Sequence, residues 1–321
     1  MNDKIATRLF MNLMPNDLVQ VKSPEEIVAT LGPDGTLDGM PFMPEMLPFC
    51  GKQFRVLRRA EKTCLEVASS AYVIREFVNN DVYFLDGLRC TGADHDGCQR
   101  ACLLFWKADW LKPVQQTRDQ ASGDFGEHCL SHKFPTKTTD RRYFCQSTQL
   151  LASTLNRPLT KPEILQKLAR ELWLGTVRLG ELLELVLAPA FRKIRDRIFG
   201  RPRLRGTLQK TPVGNLNLQP GELVEIRSLD EMRETLDTKG RNRGLACDIE
   251  FKKFCGKRYR VLSRMDRMIC ESSGEMREVK GTVFLDGHMC LCARVFGGCP
   301  RQEYCYWREV WLRRVSPSTP S

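Results

Sequence analysis

The chain has 321 residues, 42% of them hydrophobic, and a net charge of +11, which is enough length for two or three domains. Its longest apolar run, Leu182 to Phe191, contains Glu184 and falls far short of the ~20 residues of a membrane-spanning helix, and no apolar signal core follows Met1-Asn2-Asp3-Lys4. A cytoplasmic protein without a transmembrane segment is expected, in which the 14 cysteines are buried apolar groups, metal ligands or redox groups rather than disulfides.

In chain order, the first element is a strand. Asp17-Leu18-Val19-Gln20-Val21-Lys22 alternates apolar and polar residues after the turn pair Pro15-Asn16. Ser23-x-x-Glu26 is a capping box that starts a short helix carrying Ile27 and Leu31, stopped near Gly35. A second helical piece ends at Phe49-Cys50-Gly51, where the glycine suits a left-handed cap. Strands are expected over Gln53–Arg59, Asp81–Leu85 and Leu103–Trp106, with Asp86-Gly87 as a hairpin turn.

From about 115 the chain is polar and reads as a connector as far as Tyr143. Thr160-x-x-Glu163 then caps a helix whose apolar face is Ile164, Leu165, Leu168, Ala169, Leu172 and Trp173. Leu179, Leu182, Leu183, Val186, Leu187, Phe191, Ile194 and Ile198 mark a second helix, with a kink expected at Pro189. The two stripes are expected to pack as a helical hairpin or against a neighbouring module.

The last hundred residues repeat the first. Leu13-x-Pro15-x-x-Leu18-Val19 returns as Leu218-x-Pro220-x-x-Leu223-Val224, and Phe49-Cys50-Gly51-Lys52-x-x-Arg55-Val56-Leu57 as Phe254-Cys255-Gly256-Lys257-x-x-Arg260-Val261-Leu262. Phe84-Leu85-Asp86-Gly87 returns as Phe284-Leu285-Asp286-Gly287, and Gly97-Cys98 with Trp106 and Trp110 as Gly298-Cys299 with Trp307 and Trp311. The capping box returns as Ser228-x-x-Glu231, and strands are expected over Arg258–Arg264, Thr282–Leu285 and Tyr304–Trp307. The expected organisation is therefore α+β. Two small SH3-like antiparallel β-barrel repeats, 1–114 and 218–321, flank a polar connector and basic helical hairpin over 115–217. The four tryptophans are expected to fill the barrel cores.

Aligning the copies sorts the cysteines. Cys50 and Cys255 end helices and read as small buried apolar residues. Cys64/Cys270, Cys90/Cys290 and Cys98/Cys299 pair across the copies, with Cys102 or His95 as a fourth ligand in the first copy and Cys305, Cys292 or His288 in the second. The metal candidates are Cys64, Cys90, Cys98, Cys102, Cys270, Cys290, Cys299 and Cys305, and structural zinc is the cofactor that suits them. Plain reduced thiols and an iron–sulfur or redox role are the alternatives. A separate group, His128-Cys129-x-x-His132 with Cys145, offers three possible metal ligands with a fourth missing, or a Cys–His pair with no orienting third residue, beside the reading as a polar surface loop.

The charge is uneven. Residues 1–114 hold 13 basic and 15 acidic side chains, and residues 115–217 hold 18 and 9. Arg192, Lys193, Arg195, Arg197, Arg201, Arg203, Arg205 and Lys210 face only Asp196 in 19 residues. Three readings fit this anion-binding run: a solvated face, a grip on nucleic-acid phosphates, or a basic amphipathic helix on an anionic membrane surface.

The stretch Leu85-Asp86-Gly87-Leu88-Arg89-Cys90-Thr91-Gly92, His95-Asp96-Gly97-Cys98-Gln99, Phe105-Trp106-Lys107-Ala108-Asp109-Trp110-Leu111, with Thr211-Pro212-Val213-Gly214 and Tyr304-x-x-Trp307-Arg308-Glu309, resembles an uncharacterised bacterial family encoded near polysaccharide-biosynthesis and glycosyltransferase genes. The resemblance implies a bacterial cytosol and a link to surface-glycan assembly, and it brings no activity or site residues. No phosphate loop, dinucleotide fingerprint or nucleophile elbow occurs. A non-enzymatic binding or scaffold protein with a protein partner is the expectation. A nucleic-acid-binding protein acting through 192–210 and an accessory enzyme of glycan assembly using cysteine or metal chemistry are the alternatives.

Overall fold

The computed structural model describes residues 12–68, 71–114, 134–175, 178–180, 204–247, 249–290 and 299–315, with the single positions 183, 187, 191 and 194. It is a mixed α+β architecture with few helices and several antiparallel sheets. Strand β1, Leu18–Val21, alternates half-buried and buried residues, as its sequence requires. Helix α1, Pro24–Val28, starts at Ser23, whose hydroxyl accepts from the Glu26 amide while the Glu26 carboxylate accepts from the Ser23 amide. A small hairpin, β2 (Thr36–Leu37) and β3 (Met40–Pro41), leads into a 3-10 turn over Pro44–Phe49.

Strand β4, Gln53–Arg59, pairs with β1 on one side. A hairpin of β5 (Thr63–Ala68) and β6 (Ala71–Arg75) follows, then β7 (Val82–Arg89), β8 (Leu103–Lys107) and β9 (Leu111–Pro113). The sheet order is β8-β7-β4-β1-β9, so the last strand returns beside the first and the sheet curls over its core. Asp86-Gly87, read from the sequence as a hairpin turn, lies inside β7. There Gly87 takes a φ of +73° and the register with β8 shifts, so the dipeptide bends a continuous strand.

The second half contains β10 (Leu223–Ile226), α3 (Leu229–Arg233), β11 (Arg241–Asn242), β12 (Leu245–Ala246), β13 (Arg258–Arg264), β14 (Arg267–Ile269), β15 (Met276–Glu278), β16 (Thr282–Leu285), β17 (Trp307–Arg308) and β18 (Leu312–Arg314). Its main sheet has the order β17-β16-β13-β10-β18. Both central strands carry a bulge at the same place, between Val56 and Arg58 and between Val261 and Ser263. The strand expected over Tyr304–Trp307 is shorter: Tyr304 makes only an isolated bridge to Met289.

Trp106, Trp110, Trp307 and Trp311 are fully buried. Trp110 Nε1 donates to Thr30 Oγ1 at 3.1 Å, and Trp311 Nε1 donates to Thr235 Oγ1 at 2.9 Å, so each core satisfies the indole with a threonine just beyond its short helix. Phe134, read as connector, joins the first core together with Cys145 and Leu150 just beyond it. Gln146 fixes that segment: its Oε1 accepts from the Phe105 amide at 2.9 Å and its Nε2 donates to the Phe105 carbonyl at 2.8 Å, covering the edge of β8.

Helix α2, Lys161–Trp173, buries Ile164 and Leu168 against Cys64, Ile74 and Leu159. A buried ion pair, Lys62 to Glu171 at 2.7 Å, fastens its far end. The expected packing of a second apolar stripe does not occur at its described positions. Leu179, Leu183, Leu187, Phe191 and Ile194 are each helical and are 61, 50, 44, 68 and 58% exposed.

The two halves meet around Glu271, which is 5% exposed. Arg301 reaches its Oε2 at 2.7 Å and Arg100 reaches it at 3.1 Å. Glu303 accepts from both arginines, at 2.8 Å from Arg100 and 3.3 Å from Arg301, and Ser147 binds both Arg100 and Glu271. Burial opposes ionisation of Glu271, but the two guanidiniums outweigh it and hold the carboxyl below its usual range. Glu271→Ala would strand two buried cations. It is expected to cost about 3–5 kcal/mol in urea unfolding, whereas an exposed substitution such as Glu278→Ala should stay within about 0.5 kcal/mol.

Candidate functional site

The loop after β7 is built by glycine. Gly92 has a φ of +68°, and a Cβ there would overlap the Cys98 carbonyl oxygen. Its own carbonyl accepts from the amides of His95 and Gly97, and the His95 carbonyl accepts from the Cys98 amide, so the chain folds tightly back on itself. The Cys90 amide then donates to the Cys102 carbonyl at 2.8 Å, which brings both ends of the loop together.

This geometry gathers thiols around a cavity of about 30 Å³. Cys90, Cys98 and Cys102 line it from the loop, and Cys145 lines it from the segment held by Gln146. Ile269, Arg301 and Glu303 of the second half close it. The Ile269 amide lies 3.4 Å from Cys98 Sγ, a hydrogen bond from one half to a sulfur of the other. Cys64 stands elsewhere, on β5 with Ile74, Leu159, Ile164 and Leu168. The sequence-predicted first-copy set is thus divided: three members share a cavity, and the fourth thiol there is Cys145. Its only signal in the sequence was its place after His128-Cys129-x-x-His132, and that stretch lies outside the described residues.

His95, weighed as a ligand, is occupied. Its Nδ1 is 2.5 Å from Glu45 Oε1 and its Nε2 is 3.0 Å from the Phe144 carbonyl, so both ring nitrogens face acceptors. Burial pushes its pKa down, but the Glu45 carboxylate and the carbonyl more than reverse this and raise it, and with both ring nitrogens engaged neither is free to meet a metal as placed. Glu45 also accepts from the Asp94 amide at 3.2 Å.

Burial raises the Cys90 and Cys145 thiols and pushes Cys102 up to about 12, with Arg100 and Arg301 pulling Cys102 back toward the thiolate. Such thiols are protonated at neutral pH and poor nucleophiles. Among the described residues, no three His, Cys, Asp or Glu side chains stand close enough as placed to hold a metal ion.

The second half differs at the matching positions. His288 replaces Leu88, and its Nδ1 accepts from Trp307 Nε1 at 2.8 Å, while Trp106 Nε1 is buried without a hydrogen-bond partner among the described residues. Burial, then Lys253 and Lys257, drive His288 down to about 4. Cys270, Cys290, Cys299 and Cys305 are half-buried, and burial pushes Cys305 up to about 12. Residues 291–298, with Cys292 and Gly298, lie outside the described residues. So do Arg192, Lys193, Arg195, Arg197, Arg201 and Arg203; Arg205 is described, and its carbonyl accepts from Arg233 Nε at 3.3 Å.

No protein-family model, curated protein or solved structure matches the chain. No helix among the described residues is long and apolar enough to cross a membrane.

Two outcomes test this geometry. Because the pKa of folded His95 lies above its unfolded value near 6.5, its contribution to stability is complete below about pH 6.5 and is lost as pH rises through the folded pKa. Glu45→Gln should flatten that alkaline decline in a series of urea midpoints. Gly92→Ala should destabilise the fold by roughly 2 kcal/mol or more, since both the positive φ and the Cys98 carbonyl exclude a side chain.

Proposed function

We propose that the chain is a non-enzymatic binding and scaffold protein. Its frame is two copies of one SH3-like module, with zinc as a structural ion, and its docking element is the helix bearing Leu179 to Ile194. The observation that carries this reading is the exposed stripe. Leu179, Leu183, Leu187, Phe191 and Ile194 fall within about 120° of arc on an α-helix, yet none is buried. Trp173, 77% exposed, ends the preceding helix. Exposed large apolar residues grouped in this way mark an interaction surface.

The occupant follows from the adjoining sequence. Seven basic residues, Arg192, Lys193, Arg195, Arg197, Arg201, Arg203 and Arg205, continue from the stripe. Apolar residues beside a dense basic run suit an anionic membrane surface: the leucines and phenylalanine enter the headgroup boundary while the arginines meet lipid phosphates. The alternative, a grip on nucleic-acid phosphates, uses the arginines but leaves the stripe without a role. A position at the cytoplasmic membrane agrees with the resemblance to proteins encoded beside surface-polysaccharide genes.

The test is vesicle flotation with the full chain. It should float with vesicles containing phosphatidylglycerol, less so at high salt, and much less with phosphatidylcholine alone. Leu187→Glu with Phe191→Glu should weaken binding at least ~10-fold, since each buried side chain contributes about 1.5–3 kcal/mol. Binding to random RNA or DNA with a steep salt dependence, and none to anionic vesicles, would instead establish the nucleic-acid reading.

A further inference from the structure

We propose that the first half holds a binding site for a small hydrophilic monocarboxylate in a cavity beside Ala108, and that the second half contains the same site already filled by its own Glu309. The site lies apart from the exposed helix and goes beyond the docking reading without resting on it.

The two halves define corresponding positions here. Arg59 pairs with Tyr83 across β4 and β7, and Arg264 pairs with Val283 across β13 and β16. The Ala108 amide donates to the Asp81 carbonyl at 2.8 Å, and the Glu309 amide donates to the Gly281 carbonyl at 2.9 Å. The Asn16 amide meets the Val56 carbonyl as the Gly221 amide meets that of Val261, so Asn12 and Leu13 correspond to Asn217 and Leu218. In the second half the Glu309 side chain is buried. Its Oε1 accepts from the Leu218 amide at 2.9 Å and from Arg264 Nη1 at 3.0 Å, and its Oε2 accepts from the Asn217 amide at 3.3 Å. Two amides and one guanidinium thus form a complete carboxylate site, satisfied from within the chain.

In the first half the residue at that position is Ala108, and a cavity of about 330 Å³ lies beside it. Asn12, Arg59, Asn80, Tyr83 and Arg170 line it. Arg59 is the counterpart of Arg264, the guanidinium that closes on Glu309. Arg59 Nε and Asn80 Oδ1 are buried and make no hydrogen bond among the described residues. Tyr83 replaces Val283 and brings a hydroxyl, which accepts from the Leu13 amide. The first half therefore keeps the arginine, carries the amide's place outward to a phenol, and lacks the carboxylate.

The ligand class follows from size and charge. The cavity falls at the small end of ligand pockets and is larger than one carboxylate needs, so the ligand brings further atoms. Amide, phenol and guanidinium groups around them suit hydroxyls. Glu61 lies 3.8 Å from Arg59 and 3.0 Å from Arg170. Asp266 stands in the same relation to Arg264, at 3.3 Å, and Arg264 binds Glu309 nonetheless. One added carboxylate at Arg59 is therefore matched as Glu309 is. A second would meet Asp81, which shares Lys107 with Asp38.

Calorimetric titration of the full chain tests the site, with acetate, lactate and gluconate as probes and glycerol and phosphate as controls. The acids should bind at one site, gluconate the tightest, and glycerol should not bind. Ala108→Glu rebuilds the arrangement of the second half and should weaken gluconate binding at least ~10-fold, as loss of a charge-assisted pair implies. Arg59→Gln should do the same, and Glu309→Ala should open a second site for acetate. Thermal unfolding of each variant shows which are folded. A parent that binds none of the acids at about 50 mM overturns the site. So does a folded Ala108→Glu or Arg59→Gln protein that binds as the parent does. Phosphate bound more tightly than gluconate overturns the monocarboxylate class. Gluconate binding by a protein that ignores anionic vesicles supports this site and overturns the docking reading alone.

Discussion

The contact of Arg100 and Arg301 with Glu271 is the constraint on which the rest of the structure depends. The two arginines occupy matching places, each two residues after Cys98 or Cys299. Each precedes a residue in the left-handed region, Ala101 at φ +52° and Gln302 at φ +47°. The two sheets thus present the same cation to a common carboxylate. Where the first copy places Cys102 the second places Glu303, whose carboxylate provides the second negative charge. A buried carboxylate flanked by two guanidiniums is costly to assemble and more costly to break singly, so it fixes how the halves meet more than it adds net stability. The thiol cavity exists because that meeting brings Ile269, Arg301 and Glu303 over the Gly92 loop.

The two described histidines meet different surroundings. His95 lies against a carboxylate and a carbonyl, which raise its pKa; His288 lies among Phe254, Tyr259 and Trp307, near two lysines, and is held neutral. Both ring nitrogens of His95 face acceptors, and Cys90, Cys102 and Cys145 around the cavity are raised by burial.

Much of the fold was legible along the chain. Strands β4, β13 and β16 fall at the residues that alternation and turn signals marked, and the capping boxes at Ser23, Thr160 and Ser228 each start a helix. The failures share a cause. Asp86-Gly87 has the composition of a hairpin turn, but β8 pairs along both flanks and turns it into a bulge. The β5–β6 hairpin was missed, and with it the burial of Cys64 beneath α2. The stripe from Leu179 onward has the periodicity of a core helix, and periodicity cannot say whether a partner is present.

By itself the sequence determined the two like halves, their tryptophan cores and the concentration of cysteine near the turns, because those depend on local pattern and on apolar side chains that must leave water. Only the tertiary structure decided which thiols are neighbours. Cys145 reaches the cavity through Gln146 covering the edge of β8, and Cys64 leaves it through β5 pairing with β6. The first outcome depends on hydrogen bonds between segments distant along the chain, the second on a hairpin whose pairing carries Cys64 beneath α2. Spacing along a chain does not carry that information, since a loop of thirty residues costs little more entropy to close than one of fifteen.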